Sequence, residues 1–185
     1  MAVLTVRSSL MRLSIMLLCL ASTCWAAAAP SEYEVKAVFL FNFAQFVEWP
    51  DGAFPSSDTP FVIGVLGKDP FGSQLDSVVH GETAARRPMV VERYRDVGEV
   101  HNCNILFISR TETGSLPQIL TQLRGRSILT VTDADDENRN GVMIQLVNRN
   151  NRIRLRIDLG AVKASNLTIS SKLLRPAEIV GGDGS

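Results

Sequence analysis

Four short apolar runs alternate with segments that carry helical signals in the middle of this 185-residue chain. Such runs are typical of strands buried on both faces, and they cover residues 61–66, 89–92, 104–108 and 127–131. After the first run, Gly67 ends the strand, and Asp69-Pro70 can cap and open a helix to about Val79. A second helix is expected over residues 116–123, where Gly125 ends it. Strands that alternate with helices indicate a mostly parallel sheet with right-handed crossovers.

The C-terminal part of the chain changes character. Residues 142–147 and 152–159 are predicted strands, and the Asn-rich link between them tolerates positive φ, which favours a hairpin. A last helix is expected over residues 161–174, interrupted around 168–171, before a frayed glycine-rich tail at 181–184. We therefore expect a single α/β domain with a mostly parallel central sheet, flanked by helices, and a C-terminal antiparallel hairpin.

An aromatic helix is expected over residues 32–49, and Pro50 stops it. The residues that predict it recur at helical spacing: Val35, Phe39, Asn42, Phe46 and Trp49. Seven of the chain's twelve aromatic residues lie between Tyr33 and Phe54, so this helix is apolar nearly all round. Such a helix is either buried on several sides or shared with a partner, and the sequence leaves both interpretations open.

Residues 1–29 have the order of a secretory signal peptide. Arg7 and Arg12 form a basic start, residues 13–24 are apolar or small, and the alanines that follow offer cleavage frames. The apolar run is too short for a helix that spans a membrane. We therefore expect secretion and a mature domain over residues 30–185.

The charge balance and the cysteine content exclude one class of function and one way of stabilising the fold. Basic and acidic residues number 19 each, which argues against a nucleic-acid binder that relies on overall basicity. Cleavage of the signal peptide would leave Cys103 as the one cysteine, so the core rather than a disulfide must hold the fold. Because Cys103 lies just before an apolar run, we expect a buried, unreactive thiol. The alternative is an intermolecular bridge or a reactive site.

The sequence shows no motif that marks an enzyme or a metal site. Residues 64–68 are only faintly like a phosphate loop, because the flanking Gly and the Ser or Thr of Walker A are missing. The acidic run 133–137 departs from the EF-hand pattern, which favours a solvated loop. Neither His80 nor His101 has a metal-ligand neighbour at helical spacing. We therefore expect no enzymatic activity, metal or cofactor; a hydrolase whose catalytic residues meet only in space stays open.

Two features could bind a ligand or a partner. Gly67-Lys68, where the first strand meets the following helix, is either a generic anion site or an ordinary turn. Arg152, Arg154 and Arg156 alternate with aliphatic residues, which places three guanidiniums on one face of a strand. That face is either a solvent face made basic for solubility or a docking surface for an acidic partner or anionic ligand.

Several stretches of the chain, taken in their order and spacing, resemble a known family. They span about residues 32–180: 36–44 with 48–50, 64–72, 103–109, 128–133, 141–147, 151–155 and 167–174. On these residues the chain resembles the YfiR-like periplasmic proteins. The resemblance implies a non-enzymatic periplasmic regulator, often a homodimer, that binds the periplasmic sensor part of an inner-membrane diguanylate cyclase. Binding would hold the cyclase inactive and so lower cyclic di-GMP and biofilm formation.

The expected partner surface combines the exposed part of the aromatic helix with the arginine strand. Its residues are Phe39, Phe41, Phe43, Trp49, Arg152, Arg154 and Arg156. Core packing is the alternative role of the aromatic residues. The alternative function is a periplasmic small-ligand receptor, without a repressor role, that uses Gly67 and Lys68 as its anion site.

Overall fold

The computed structural model describes residues 30–134 and 141–181, and the elements given below belong to the compact unit that begins at Ser31. The α-helices described are α1 (Glu32–Phe46), α2 (Ser73–Val79), α3 (Leu116–Leu123), α4 (Leu159–Ala164) and α5 (Ser171–Leu174). The strands are β1 (Val47–Glu48), β2 (Phe61–Leu66), β3 (Thr83–Ala84), β4 (Arg87–Tyr94), β5 (Ile105–Ile108), β6 (Leu129–Thr132), β7 (Ile144–Arg149), β8 (Arg152–Asp158), β9 (Thr168–Ile169) and β10 (Glu178–Val180).

Eight of these strands form one sheet in the order β10-β8-β7-β6-β5-β2-β4-β3. β4, β2, β5, β6 and β7 run parallel, and Ile63 of β2 pairs with Val91 on one side and Ile105 on the other. β7 and β8 form an antiparallel hairpin that turns at Asn150 and Asn151, whose φ values are 54° and 59°. These are the positive φ values that a two-residue hairpin turn needs. The predicted fold class, a mostly parallel α/β sheet with a C-terminal hairpin, is confirmed.

The centre of the sheet is covered on both faces, which explains why the apolar runs are unbroken. All six residues of β2 are buried. Phe61, Ile63 and Val65 pack into the core that includes α1 and α2, whereas Val62 and Leu66 pack into a second core that includes α3. Because side chains alternate between the two faces of a strand, this one short segment contributes residues to two separate cores.

α1 begins with a capping box in which Ser31 Oγ accepts from the Glu34 N–H and the Glu34 carboxylate accepts from the Ser31 N–H. The helix ends at Phe46, not at residue 49 as predicted. Val47 is extended, and β1 pairs antiparallel with β9, so the chain leaves the helix to form this two-stranded sheet. Trp49 therefore lies beyond the helix.

Two other predicted helices have different bounds in the structure. α2 begins at Ser73, because Asp69 Oδ1 caps the Phe71 N–H at 2.7 Å in a turn that comes before the helix. The helix predicted over 161–174 begins earlier, at Leu159, and its predicted interruption around 168–171 is confirmed: α4 and α5 are separated because Asn166 adopts a φ of 55° and β9 follows it. The sequence reasoning missed β10, which pairs parallel with β8 at one edge of the sheet.

The predicted signal peptide at 1–29 lies outside the described residues, as do residues 135–137 of the acidic run predicted over 133–137. Across the part of the chain that is described, no helix combines the length and the apolar character needed to cross a membrane.

Candidate functional site

The connections of the sheet diverge at the carboxyl ends of β2 and β5. From β2 the chain runs to β4 on one side, and from β5 it runs to β6 on the other. Ligands of open α/β sheets bind in the crevice at such a point, so the loops after these two strands are natural site candidates. Gly67 and Lys68 follow β2, and Arg110, Thr111 and Glu112 lie in the loop after β5.

Side chains of the second loop fill the space beside Gly67 and Lys68. The Lys68 N–H donates to Thr111 Oγ1 at 3.2 Å, and a Cβ built at Gly67 would lie 2.6 Å from Glu112 Oε1. Since α2 begins only at Ser73, its first N–H groups lie further along the chain. A carboxylate in this position repels an anion. The geometry favours an ordinary turn over the predicted anion site at Gly67 and Lys68.

A buried ionic cluster lies at the carboxyl ends of the neighbouring strands β5 and β6. Asp133 directly follows β6, and its Oδ2 accepts from Lys36 Nζ at 2.7 Å, from Arg110 at 2.8 Å and from Tyr33 Oη at 2.9 Å. The side chains of Lys36 and Asp133 are each 1% exposed. Lys36 also forms an ion pair with Glu32, one turn earlier on α1. Two cations and two anions thus neutralise one another around Asp133.

The contacts within the cluster lower the pKa values of its two carboxyl groups and raise that of Tyr33. Burial alone would raise the pKa of Asp133, but the hydrogen bonds from Arg110 and Lys36 bring it below its ordinary value. The hydrogen bond from Lys36 lowers the pKa of Glu32. Burial and the charge of Asp133 raise the pKa of Tyr33 to about 12. Near neutral pH, Asp133 and Glu32 are therefore ionised, and Tyr33 keeps its proton.

The cluster ties α1 to three strands. Lys36, Tyr33 and Glu32 belong to α1, whereas Asp133 and Arg110 follow β6 and β5. Asn148 of β7 adds a further link, because its amide donates to Glu32 Oε2 at 2.7 Å. Because each charge already has a partner of opposite sign, we assign the cluster a positioning role for α1 rather than a ligand-binding one.

The sequence reasoning missed this cluster, and the prediction that the acidic run from Asp133 is a solvated loop is wrong for its first two residues. Asp133 and Ala134 are both buried. Two signals were available: Lys36 stands in a helix that is otherwise apolar on most sides, and Asp133 comes directly after a buried strand. A charged residue at such a position requires a partner of opposite charge.

The aromatic residues of the candidate partner surface have different environments. Phe43 is fully buried in the core. Phe39, Phe41 and Trp49 are half-buried and pack against the same core. The ring of Trp49 meets that of Phe61 edge to face at 4.9 Å. Core packing thus accounts for Phe43, and it leaves only part of the surface of the other three available to a partner.

The outer face of α1 carries an exposed apolar residue that the sequence reasoning did not select. Val38 is 46% exposed, and it lies one turn from Phe41. Glu34 and Gln45, which continue the same stripe, are exposed and polar. An apolar patch with a polar border is the composition of a small protein contact surface.

The arginine strand lies on the other side of the sheet from α1. Leu155 and Ile157 of β8 belong to the core beneath α1, so Arg152, Arg154 and Arg156 project from the opposite face. Arg152 and Arg154 are exposed, and Arg156 is partly buried. The structure does not bring the two halves of the predicted partner surface together on one face.

Comparison with protein families decides what kind of protein this is. The model of the YfiR/HmsC-like family matches residues 33–178, which is most of the chain. The chain belongs to this family. The resemblance inferred from the sequence is thereby confirmed, although no curated protein is similar enough to count as a match. The family is periplasmic, regulatory and non-catalytic, and membership is consistent with regulation of diguanylate cyclase signalling.

Cys103 has the environment that the sequence predicted. In this YfiR/HmsC-like chain its thiol is buried and forms no disulfide within the described residues, and burial raises its pKa to about 12. His80 and His101 are exposed. Between residues 30 and 134 and between 141 and 181, no group of three or more His, Cys, Asp or Glu side chains could hold a metal ion.

Proposed function

We propose that this protein is a periplasmic repressor that binds the periplasmic part of an inner-membrane diguanylate cyclase and holds the enzyme inactive. Release would raise cyclic di-GMP and favour biofilm formation. The observation that carries the proposal is the match to the YfiR/HmsC-like family over residues 33–178. The buried ionic cluster is consistent with it, because the cluster fixes α1, which presents the candidate contact surface.

The proposed mechanism is a population shift. A repressor acts by binding the inactive state of the sensor more tightly than the active state. Moving the cyclase from 99% active to 99% inactive requires a difference in affinity of about 10⁴-fold. Such a difference in affinity requires that the part of the sensor contacted by this protein has different shapes in the inactive and active states.

We place this contact on the outer face of α1, around Val38 and Phe41. Val38 is the more exposed apolar side chain of the two, and Phe41 adds aromatic area of the kind that dominates binding energies. Phe39 and Trp49 can extend the surface at its margins. Phe43 has no exposed surface and takes no part.

The test uses Val38→Glu, with Gln122→Glu as its control. Both changes add a carboxylate to an exposed helix position, but Gln122 lies on α3, on the other side of the sheet from α1. Tagged wild type, cross-linked in cells and identified by mass spectrometry, should capture an inner-membrane protein that carries a cytoplasmic cyclase domain. Deleting the protein should raise cyclic di-GMP, and Gln122→Glu but not Val38→Glu should restore the low level.

Three outcomes would contradict parts of this proposal. Capture of no protein other than the tagged protein itself would contradict the proposed partner. An unchanged cyclic di-GMP level after deletion would contradict the repressor role. Full repression by Val38→Glu would move the contact away from α1. Homodimer formation is a separate expectation, which light scattering of the purified protein measures directly.

A further inference from the structure

A concave site lies on the face of the sheet that carries the arginine strand. This arginine cleft, with a volume of about 360 Å³, opens where the chain enters β10 beside β8. Its lining combines an apolar wall with five charged side chains: Arg149, Arg154, Arg156, Arg175 and Glu178. The volume is within the range of small-molecule sites in proteins.

Strand register explains how the arginines converge. Val147 pairs with Arg154 across the hairpin, and Arg149 pairs with Arg152, so these side chains share one face. Parallel pairing of β10 then aligns Glu178 with Arg156 and brings Arg175 to the same edge of the sheet. The sequence reasoning could see only the arginines of β8, because Arg149 and Arg175 join them through the hairpin and through β10.

The charges of the cleft do not balance. Four guanidiniums line it against one carboxylate, and among the described residues the only ion pair these arginines form is the one between Arg156 and Glu178. Arg156 Nε is buried and lies 3.3 Å from Glu178 Oε1, but no hydrogen bond forms. The Arg156 Nη1 bond to Gln145 Oε1 is also long, at 3.3 Å. The cleft therefore carries excess positive charge, and within the described residues the guanidinium of Arg156 has only long contacts, which leaves it hydrogen-bonding capacity for a ligand.

We propose that the arginine cleft binds a small phosphate monoester. Guanidinium groups bind phosphate oxygens in pairs, and a dianion offsets most of the excess positive charge. Val147 and Pro176 offer apolar surface to the organic part of the ester. This site is distinct from the surface of α1 and does not rest on the repressor function.

The experiment measures binding of phenyl phosphate to the purified protein by calorimetry, with neutral benzyl alcohol as the comparison ligand. Wild type should bind phenyl phosphate and not benzyl alcohol. Arg154→Gln and Arg175→Gln, both at exposed positions, should each weaken binding about tenfold or more. Arg152→Gln is the matched control, because Arg152 shares the strand face but does not line the cleft. Its effect should stay below about twofold.

Glu178→Gln provides a test in the opposite direction. It removes the carboxylate that repels the phosphate group, so it should tighten the binding of phenyl phosphate. General damage to the fold would instead weaken this binding. Three results would overturn the proposal: no binding of phenyl phosphate, equal binding of benzyl alcohol, or equal losses in Arg152→Gln and Arg175→Gln. Val38→Glu should bind phenyl phosphate normally, so failure of this site and failure of the proposed repressor contact are told apart.

Discussion

Asp133→Asn should destabilise the protein by about 3 kcal/mol. Removing one partner of a buried ion pair costs about 3–5 kcal/mol, because the remaining charge is left without compensation. Lys36 is 1% exposed, but it keeps Glu32 as a partner, and the amide oxygen of asparagine still accepts one hydrogen bond. These two contacts place the expected cost near the lower end of that range. In a domain of this size, the melting temperature should fall by about 6–12 °C.

The pH dependence of the same variant provides an independent check. The folded-state pKa of Asp133 is lower than its ordinary value of 3.8, so its contribution to stability is fully present above the unfolded pKa. That contribution is lost as the pH falls through the folded-state pKa. The stability difference between wild type and Asp133→Asn should therefore be constant from about pH 5 to pH 7 and should shrink below about pH 4.

Thermal melts followed by circular dichroism between pH 3 and pH 7 measure both effects. Asp76→Asn is the control, because it makes the same chemical change in an ion pair with Arg93 whose carboxylate is 48% exposed. Exposed pairs contribute about 0–1 kcal/mol, so Asp76→Asn should melt close to wild type. A melting temperature for Asp133→Asn equal to that of Asp76→Asn would refute the assigned role of the cluster. So would a difference from wild type that stays constant down to pH 3.

Two further predictions concern the second core. Ellman's reagent should modify Cys103 only as fast as the protein unfolds, because the thiol is buried and its pKa is about 12; fast labelling of the native protein would contradict this. Gly64→Ala should cost about 1–3 kcal/mol in urea unfolding, because its Cβ would lie 2.5 Å from Tyr94 Cε2 and 2.8 Å from Cys103 Sγ. Gly52→Ala, whose Cβ would meet no atom within 4 Å, should leave the midpoint unchanged, and equal midpoints for both variants would refute the packing argument.

Local patterns in the sequence were enough to predict the central elements. The run at 61–66 and the helix at 116–123 match the bounds of β2 and α3, because each carries a strong local signal: unbroken apolar residues in the first case, helical periodicity ended by Gly125 in the second. The hairpin was predictable for the same reason, since Asn150 and Asn151 are residues that tolerate positive φ.

Elements that depend on distant partners could not be predicted. β1 takes the end of the aromatic stretch out of the helix only because β9, more than 100 residues later, pairs with it. β10 has three residues and forms because β8 offers a free edge. Asp133 lies 97 and 100 positions from its partners Lys36 and Tyr33, so no local window of sequence contains the cluster.

β7 connects the two sites that lie on opposite faces of the sheet. Val147 and Arg149 line the arginine cleft, whereas Asn148 between them points the other way and donates to Glu32 in the cluster that fixes α1. A ligand that moved this strand would therefore act on the position of α1 through a single hydrogen bond and its buried neighbours. Thermodynamic linkage then sets a strict requirement: phenyl phosphate must change the affinity for the partner by the same factor by which the partner changes the affinity for phenyl phosphate. Equal affinities with and without phenyl phosphate would show that the two faces act independently, even though they share a strand.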